Sequence, residues 1–266
     1  MAPCDLISGR VLVTGATGGL GQAIARAFAA RGATLVLTGR RSSVLEPLAE
    51  ELGARAIVCD LADRDEVERL IGEMGEIDVL ATNAGVPAMG ALTDLTRDQI
   101  DQLLEVNLRA QIALAQAAAT GMVARRRGHI VLMSSLAAKA TAPATSIYST
   151  TKFALRGFAL GIREDLRPYG VGVSVVMPGF ISDAGMLVDA GIELPPGIGT
   201  RTSHDVAMAV LRGIERNRAE VEVAPLKMRL GSAFANLAPE LASAASRRRG
   251  GNKVAAAAVD SDREKR

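Results

Sequence analysis

Short apolar segments alternate with longer segments of helical periodicity along most of this chain. The short segments are rich in β-branched residues, and Val11-Leu12-Val13 and Ile130-Val131-Leu132 have no polar face. Strands without a polar face are typical of a parallel sheet that helices cover on both sides, because parallel strands need crossover connections. The alternation therefore predicts an α/β fold in which a doubly wound parallel sheet lies between two layers of helices.

The pattern resolves into seven strands and six helices, which we expect to form a three-layer α/β/α fold of the Rossmann type. The predicted strands lie at residues 10–14, 34–38, 54–59, 79–82, 129–134, 171–177 and 220–223. The predicted helices lie at residues 20–31, 42–52, 64–74, 97–124, 146–169 and 203–217.

Two later segments interrupt this alternation. Residues 179–202 are rich in glycine and proline and are long for a plain connection, which is typical of a lid or a substrate loop. Residues 225–246 form an amphipathic C-terminal segment. We expect a single domain over residues 1–246 and a flexible charged tail over residues 247–266.

Composition excludes several classes of function. The net charge is only +2, and seven Phe and Tyr residues with no Trp leave few side chains for base stacking, so we expect no nucleic-acid partner. Cys4 and Cys59 are too few for a disulfide framework or a four-cysteine metal site, and we expect no metal. No secretory signal and no run of 18 apolar residues is visible, so we expect a cytoplasmic protein.

A glycine-rich turn, Thr14-Gly15-Ala16-Thr17-Gly18-Gly19-Leu20-Gly21, joins the first predicted strand to the first helix. Glycines allow a tight turn and let a pyrophosphate approach the helix N-terminus, where N–H groups and the helix dipole favour anions. Its spacing differs from the G-x-G-x-x-G pattern. Such a turn can be a mere connection, but its place at the first strand–helix junction predicts a dinucleotide site.

Two arginines, Arg40 and Arg41, follow the second predicted strand. An NAD site usually places an acidic residue here for the ribose 2′-hydroxyl, whereas arginine suits a 2′-phosphate. Guanidinium–phosphate pairs are charge-assisted and contribute about 1.5–3 kcal/mol. The sequence therefore favours NADP, while NAD and a simple solvated start of the next helix stay open as alternatives.

Tyr148 and Lys152 lie four residues apart in a predicted helix, and Ser135 precedes Tyr148 by thirteen residues. Positions i and i+4 share one helix face, so the ammonium group can lie near the phenol. A nearby cation lowers the pKa of a tyrosine from its usual value of about 10. The spacing therefore predicts an acid/base site, and the alternative is a helix-surface pair without chemistry.

Taken together, these motifs resemble the short-chain dehydrogenase/reductase family, in its compact branch. The resemblance covers residues 7–223. It rests on the glycine turn, Asp60, Asn83-Ala84-Gly85, Asn107, Ser135, Tyr148, Lys152 and Pro178-Gly179.

The resemblance implies a catalytic role for four residues. Ser135 would hydrogen-bond the substrate oxygen, and Tyr148 would transfer the proton to or from that oxygen. Lys152 would also hold the nicotinamide ribose, and Asn107 would hold a water that links Lys152 to solvent.

The resemblance also implies a cofactor-binding set. Asp60 and Leu61 would contact the adenine, although Asp60 could instead cap the next helix. The expected set is Gly15, Thr17, Gly18, Gly19, Leu20, Gly21, Arg40, Arg41, Asp60, Leu61, Asn83, Ala84, Gly85, Tyr148, Lys152, Pro178, Gly179 and Ile181. The chain departs from the family where Ser182-Asp183 replaces the usual threonine; Ser182 could supply the missing hydroxyl.

The function implied by the resemblance is an NADP(H)-dependent oxidoreductase that interconverts a ketone or aldehyde and a secondary or primary alcohol by hydride transfer. The substrate loop carries Leu187, Val188, Ile192 and Leu194, which favour an apolar small molecule. Family members are often homodimers or homotetramers, so we expect a homo-oligomer. The alternatives are a nucleotide-binding regulatory protein of the same fold without turnover and an epimerase or dehydratase of the longer branch.

The segment 225–249 carries Leu226, Met228, Leu230, Phe234 and Leu237 beside several arginines. It can pack on its own domain or on a symmetric neighbour, or it can dock on a membrane surface or a partner subunit. The sequence alone leaves both alternatives open.

Overall fold

Seven parallel strands form one sheet in the computed structural model, which describes residues 4–87, 90–185, 188, 191 and 199–248. The strands are β1 (Arg10–Thr14), β2 (Thr34–Gly39), β3 (Arg55–Val58), β4 (Val79–Thr82), β5 (Gly128–Met133), β6 (Val171–Pro178) and β7 (Glu220–Val223). Their order is β3-β2-β1-β4-β5-β6-β7, and every neighbouring pair is parallel. The predicted doubly wound α/β fold is confirmed, with strand ends within one residue of the predicted positions.

Helices cover both faces of the sheet. They are α1 (Cys4–Ile7), α2 (Gly19–Ala29), α3 (Ser42–Leu52), α4 (Arg64–Met74), α5 (Arg97–Leu104), α6 (Ala110–Arg125), α7 (Ser146–Leu166), α8 (Ser203–Glu215), α9 (Leu226–Leu237) and α10 (Pro239–Arg248). The short helix α1 was not predicted.

Alternate residues of each strand point into two separate cores, because successive side chains of a strand face opposite sides. On β1, Val11 and Val13 pack with α1, α2, α3 and α8. Leu12 packs on the other side with α4, α6 and α7. This is why the central strands have no polar face in the sequence.

The predicted helix over residues 97–124 is not continuous. A π-helical turn at Glu105–Arg109 separates α5 from α6. Asn107 lies in this turn, and its side chain accepts from the Val86 N–H at 2.8 Å and donates to the Val86 carbonyl at 2.9 Å. Hydrophobic periodicity does not encode such a tertiary hydrogen-bonded pair, so the interruption could not be predicted from it.

Other helix ends differ from the prediction for local reasons. The helix predicted at 146–169 ends as α-helix at Leu166 and continues as a 3₁₀ turn that contains Pro168, which lacks an N–H. The helices predicted at 20–31 and 203–217 end at Ala29 and Glu215.

The C-terminal amphipathic segment is two helices rather than one, because Pro239 begins α10 where its missing N–H costs nothing. Helix α10 extends to Arg248, and the division into a domain over residues 1–246 and a flexible tail stays a prediction. Residues 249–266 lie outside the described residues. Among the described helices, none is long and apolar enough to cross a bilayer.

A network of charged groups ties β7 to the helices beside it. The Lys139 ammonium donates to carboxylate oxygens of Glu220 and Glu222, both at 2.6 Å. Arg156 of α7 binds Glu220 at 2.5 Å, and Arg229 of α9 binds Glu222 at 3.0 Å. Burial lowers the pKa of Lys139, but its hydrogen bonds to the two carboxylates outweigh this and raise the pKa above its ordinary value.

We expect Lys139→Met to lower the free energy of unfolding by about 1–3 kcal/mol, since it leaves two partly buried carboxylates without their shared cation. Arg26→Met is the matched control, because the Arg26–Glu51 pair is nearly half exposed and such pairs contribute about 0–1 kcal/mol. Urea unfolding of both variants measures the difference. Equal losses would show that the network does not stabilise β7.

Candidate active site

A cavity of about 980 Å³ lies at the carboxyl edge of the sheet. Its walls include residues that follow β1, β4 and β5, and the end of β6. The strand order reverses here, because β1 pairs with both β2 and β4. Ligands of open α/β sheets bind at such a switch point. The volume is at the upper end of the range of ligand pockets, which suits an extended ligand.

Nearly all of the site residues predicted from the sequence line this one cavity. They are Gly15, Thr17, Gly18, Gly19, Leu20, Gly21, Arg40, Arg41, Asp60, Leu61, Asn83, Ala84, Gly85, Ser135, Tyr148, Lys152, Pro178, Gly179 and Ile181. Asn107 is the one predicted site residue that does not line it.

The glycine turn forms the floor of the cavity where α2 begins. Gly15 has a φ of +63°, and a Cβ there would lie 2.7 Å from the Ala84 Cα, so both backbone conformation and space require glycine. The N-cap of α2 is Gly18, which has no side chain to accept from the first helical N–H groups, and no acidic residue lies in the first turn. These donors fit an anionic group such as a pyrophosphate.

Asn83 and Thr14 fasten the ends of β1 and β4 to each other. The Asn83 amide donates to the carbonyls of Thr14 and Gly15, both at 3.2 Å. The Thr14 hydroxyl accepts from the N–H groups of Asn83 and Ala84, both at 3.1 Å. These four bonds hold the glycine turn open at the switch point, and they place Ala84 beside Gly15.

Arg40 and Arg41 lie at the end of the cavity beyond β2. The Arg41 guanidinium donates to the Thr17 carbonyl at 2.6 Å, so it braces the glycine turn. Arg40 forms a loose, exposed ion pair with Asp60 at 3.7 Å. Asp60 also accepts from the Ala62 N–H at 3.0 Å. It does not cap α4, whose N-cap is Asp63, so that alternative for Asp60 was wrong.

Ser135, Tyr148 and Lys152 meet at the opposite end of the cavity. The Ser135 hydroxyl lies near the Tyr148 phenol. The Lys152 ammonium lies 5.6 Å from the centre of the Tyr148 ring and donates to the Met133 carbonyl at 3.0 Å. α7 brings Tyr148 and Lys152 onto one face, and the end of β5 brings Ser135 to them.

The two adjacent serines after β5 have different surroundings. The Ser134 hydroxyl donates to the Lys152 carbonyl at 2.9 Å and so binds the backbone of α7. The Ser135 hydroxyl accepts from the Ala137 N–H at 3.1 Å and lies beside the Tyr148 phenol. Ser135 is therefore the serine that is placed next to the phenol.

Burial controls the protonation of both catalytic candidates on α7. It lowers the pKa of Lys152 to about 8. It raises the pKa of Tyr148 above its ordinary value, although the hydrogen bond with Ser135 opposes this shift. The expected lowering of the Tyr148 pKa is therefore not found in this structure, where burial is the largest effect on the phenol.

Asn107 is buried behind the cavity rather than in its wall. Its side-chain oxygen and nitrogen are both bonded to the backbone of Val86, which does line the cavity. The side chain therefore positions the segment after β4, and the water-holding role stays a prediction.

Ser182 and Asp183 do not line the cavity. The Ser182 hydroxyl donates to the Arg201 carbonyl at 3.3 Å, and Asp183 accepts from the N–H and the hydroxyl of Ser203 at 2.8 and 2.9 Å. Asp183 thus binds the first residue of α8. The suggestion that Ser182 replaces the usual threonine hydroxyl in the site is not borne out by this geometry.

Sequence reasoning missed the wall that α9 contributes. Met228 and Ser232 line the cavity, together with Phe180, Thr141 and Thr145. Met228 and Ser232 are four residues apart and so share one helix face. That spacing was visible in the sequence, but nothing in it showed which face of α9 turns inward. Of the substrate-loop residues, Val188 is exposed, and Leu187, Ile192 and Leu194 lie outside the described residues.

Comparisons with known proteins agree with this architecture. The family model of the short chain dehydrogenases matches residues 9–192. The dehydrogenase/reductase SDR family member 7B of Xenopus laevis is 33% identical over 255 residues, which cover 87% of this chain and 78% of that protein. The ketoacyl reductase HetN of a Nostoc species is 35% identical over 222 residues, which cover 80% of this chain and 77% of that protein.

A solved structure is also similar in fold. A short-chain dehydrogenase from Sphingobium yanoikuyae in complex with NADPH superposes with a TM-score of 0.75 at 29% sequence identity, covering 87% of this chain and 96% of that chain.

The fold and the cavity define a Rossmann-type oxidoreductase that acts on CH–OH groups. Within that class, the chain belongs to the short-chain dehydrogenase family.

The buried lysine makes stability depend on pH. The folded protein releases the Lys152 proton at about pH 8, whereas the unfolded chain keeps it until about pH 10.4. Wild-type stability relative to Lys152→Met should therefore be lowest below pH 8, where the buried charge is fully present. It should rise by about 3 kcal/mol as the pH increases through this window. Urea unfolding of both proteins across this pH range measures the difference between their free energies of unfolding. A difference that does not change with pH would contradict the prediction that Lys152 is buried as an ammonium group.

Proposed function

We propose that this enzyme interconverts a ketone or aldehyde and the corresponding alcohol with NADP(H), and that Ser135, Tyr148 and Lys152 carry the chemistry. The observation that supports this proposal is their convergence at one end of a cavity whose other end holds the glycine turn and two arginines. The nicotinamide cofactor supplies or accepts the hydride.

Tyr148 moves the proton in this proposal. Because burial raises its pKa, the phenol is protonated at neutral pH and can donate to the substrate oxygen during reduction. In the oxidative direction the phenolate would remove the same proton. Ser135 donates a second hydrogen bond to that oxygen and stabilises the negative charge that develops on it.

Lys152 supplies a cation at the end of the cavity where Ser135 and Tyr148 lie. Its ammonium is held by the Met133 carbonyl at the end of β5, close under the Tyr148 ring. Its position suits binding of ribose hydroxyls, and its charge favours the phenolate at the moment when Tyr148 has lost its proton.

The arrangement of Arg40 and Asp60, at the end of the cavity near β2, favours NADP over NAD. The loose pair between Arg40 and Asp60 contributes little, as exposed pairs do, so the guanidinium can turn to a 2′-phosphate at small cost. Solved relatives such as the Sphingobium yanoikuyae enzyme hold NADPH. Asp60, Leu61 and Ala84 would then lie near the adenosine part, and Pro178, Gly179 and Ile181 near the nicotinamide.

An apolar substrate with at least one polar group fits the remaining space. Leu136, Phe180 and Met228 line the cavity, and the polar residues Thr141 and Ser232 line it as well. The ketoacyl reductase name of one relative is consistent with a carbonyl substrate. A cytoplasmic location and a homo-oligomeric state stay predictions.

Tyr148→Phe should lower turnover by a factor of about 10²–10⁴, because the proton donor is removed. The dissociation constant of NADPH should stay within about threefold of the wild-type value, which is a difference of under about 0.7 kcal/mol in binding free energy. Turnover of a panel of ketones and alcohols is followed at the NADPH absorbance band. Binding of NADPH is measured by fluorescence titration. Tyr169→Phe is the matched control, because Tyr169 is exposed and away from the cavity. Full activity of Tyr148→Phe would remove Tyr148 as proton donor. Cofactor binding without turnover of any compound would favour the regulatory alternative.

Arg40→Ala should weaken NADPH binding by a factor of about 10–150 and leave NADH binding unchanged, because only NADPH carries the phosphate that the guanidinium binds. Arg64→Ala removes an arginine that pairs with Glu105 outside the cavity and is the control. Fluorescence titration of the wild type and both variants with NADPH and NADH measures the six dissociation constants. A wild-type preference for NADH would refute the role of Arg40 and Arg41.

A further inference from the structure

Helix α9 has two opposite faces with different surroundings. At about 100° per residue, Leu226, Leu230, Phe234 and Leu237 fall within an arc of about 80°, and Met228 and Ser232 lie on the opposite side. Met228 and Ser232 line the cavity. The four large apolar side chains point away from it and are between 48% and 83% exposed.

A further large apolar side chain is exposed beyond Pro239. Leu241 of α10 is 65% exposed as well. Of the eleven large apolar side chains that are exposed among the described residues, five lie within residues 226–241. Single exposed apolar residues are ordinary, but a group of this size on adjacent helices marks an interaction surface.

Positive charge borders the stripe. On the helical projection Lys227 lies at one edge of it, and Arg229, which pairs with Glu222, lies beyond the other edge. Helix α9 contains no acidic residue. Nine of the 31 Lys and Arg residues but only four of the 29 Asp and Glu residues lie from Pro225 onward. This segment therefore has a formal charge of +5, whereas the rest of the chain has −3.

We propose that α9 and α10 dock on an anionic lipid surface, with the stripe of Leu226, Leu230, Phe234, Leu237 and Leu241 in the interface. Helices with one apolar face and flanking basic residues bind this kind of surface. Docking places the cavity wall formed by Met228 and Ser232 one helix diameter from the lipid.

A second copy of the chain is a poorer occupant of this stripe. A twofold contact would bring the same surface of two chains together, so α9 and α10 of both chains, each pair with four basic residues and one acidic residue, would face each other. Like charges set against each other across an interface oppose association. An anionic bilayer has the charge that complements the segment.

The test is sedimentation of the full-length protein with vesicles of phosphatidylcholine alone and vesicles that also contain phosphatidylglycerol. The wild type should bind the mixed vesicles, and added salt should weaken the binding. Phe234→Gln should reduce partitioning about tenfold, because one large apolar contact is lost, and Lys227→Gln about fivefold. Leu92→Gln removes an exposed apolar side chain elsewhere and should bind as the wild type does.

Circular dichroism and NADPH titration establish that each variant is folded. If a variant in α9 is unstable, the results for the wild type, for added salt and for Leu92→Gln still decide whether the protein binds anionic vesicles. Failure of the wild type to bind mixed vesicles overturns the proposal. So does equal binding to both vesicles at all salt concentrations, or a Phe234→Gln variant that partitions like the wild type. Self-association that Phe234→Gln abolishes would show instead that a second copy covers the stripe.

Discussion

The site depends on the reversal of winding on either side of β1. The chain runs from β1 outward to β2 and β3 and then crosses back to β4 on the other side of β1, so a crevice is left between the carboxyl ends of β1 and β4. The bonds of Asn83 to Thr14 and Gly15 keep these two ends in register. Without that register, the open N-terminus of α2 would not face the same cavity as the catalytic candidates on α7.

Desolvation then sets the chemistry inside the cavity. The same enclosure lowers the pKa of Lys152 and raises that of Tyr148, because a poorly solvated environment disfavours the charged form of each. Burial therefore keeps the Tyr148 phenol protonated at neutral pH, and the Met133 carbonyl replaces part of the water that the buried Lys152 ammonium has lost. A protonated phenol beside a hydroxyl is the form that a carbonyl reductase needs.

Helix α9 is part of both the cavity wall and the exposed surface. One face completes the cavity wall, while the other remains exposed and apolar within the most basic part of the chain. The ion pair between Arg229 and Glu222 fastens this helix to β7, and through the Lys139 network to the segment that follows Ser135. The cavity wall, the segment that follows Ser135 and the outer surface of α9 are therefore connected by ion pairs.

The sequence by itself determined the strands, most helices and the glycine turn, because periodicity and backbone conformation are local properties. Positions such as Tyr148 and Lys152 were predictable for the same reason, since a spacing of four places two side chains on one helix face. Only the tertiary structure decided the π-helical turn at Asn107, the inward face of α9 and the direction of the Tyr148 pKa shift. Each of these depends on contacts and burial between residues distant in the chain, which no local pattern records.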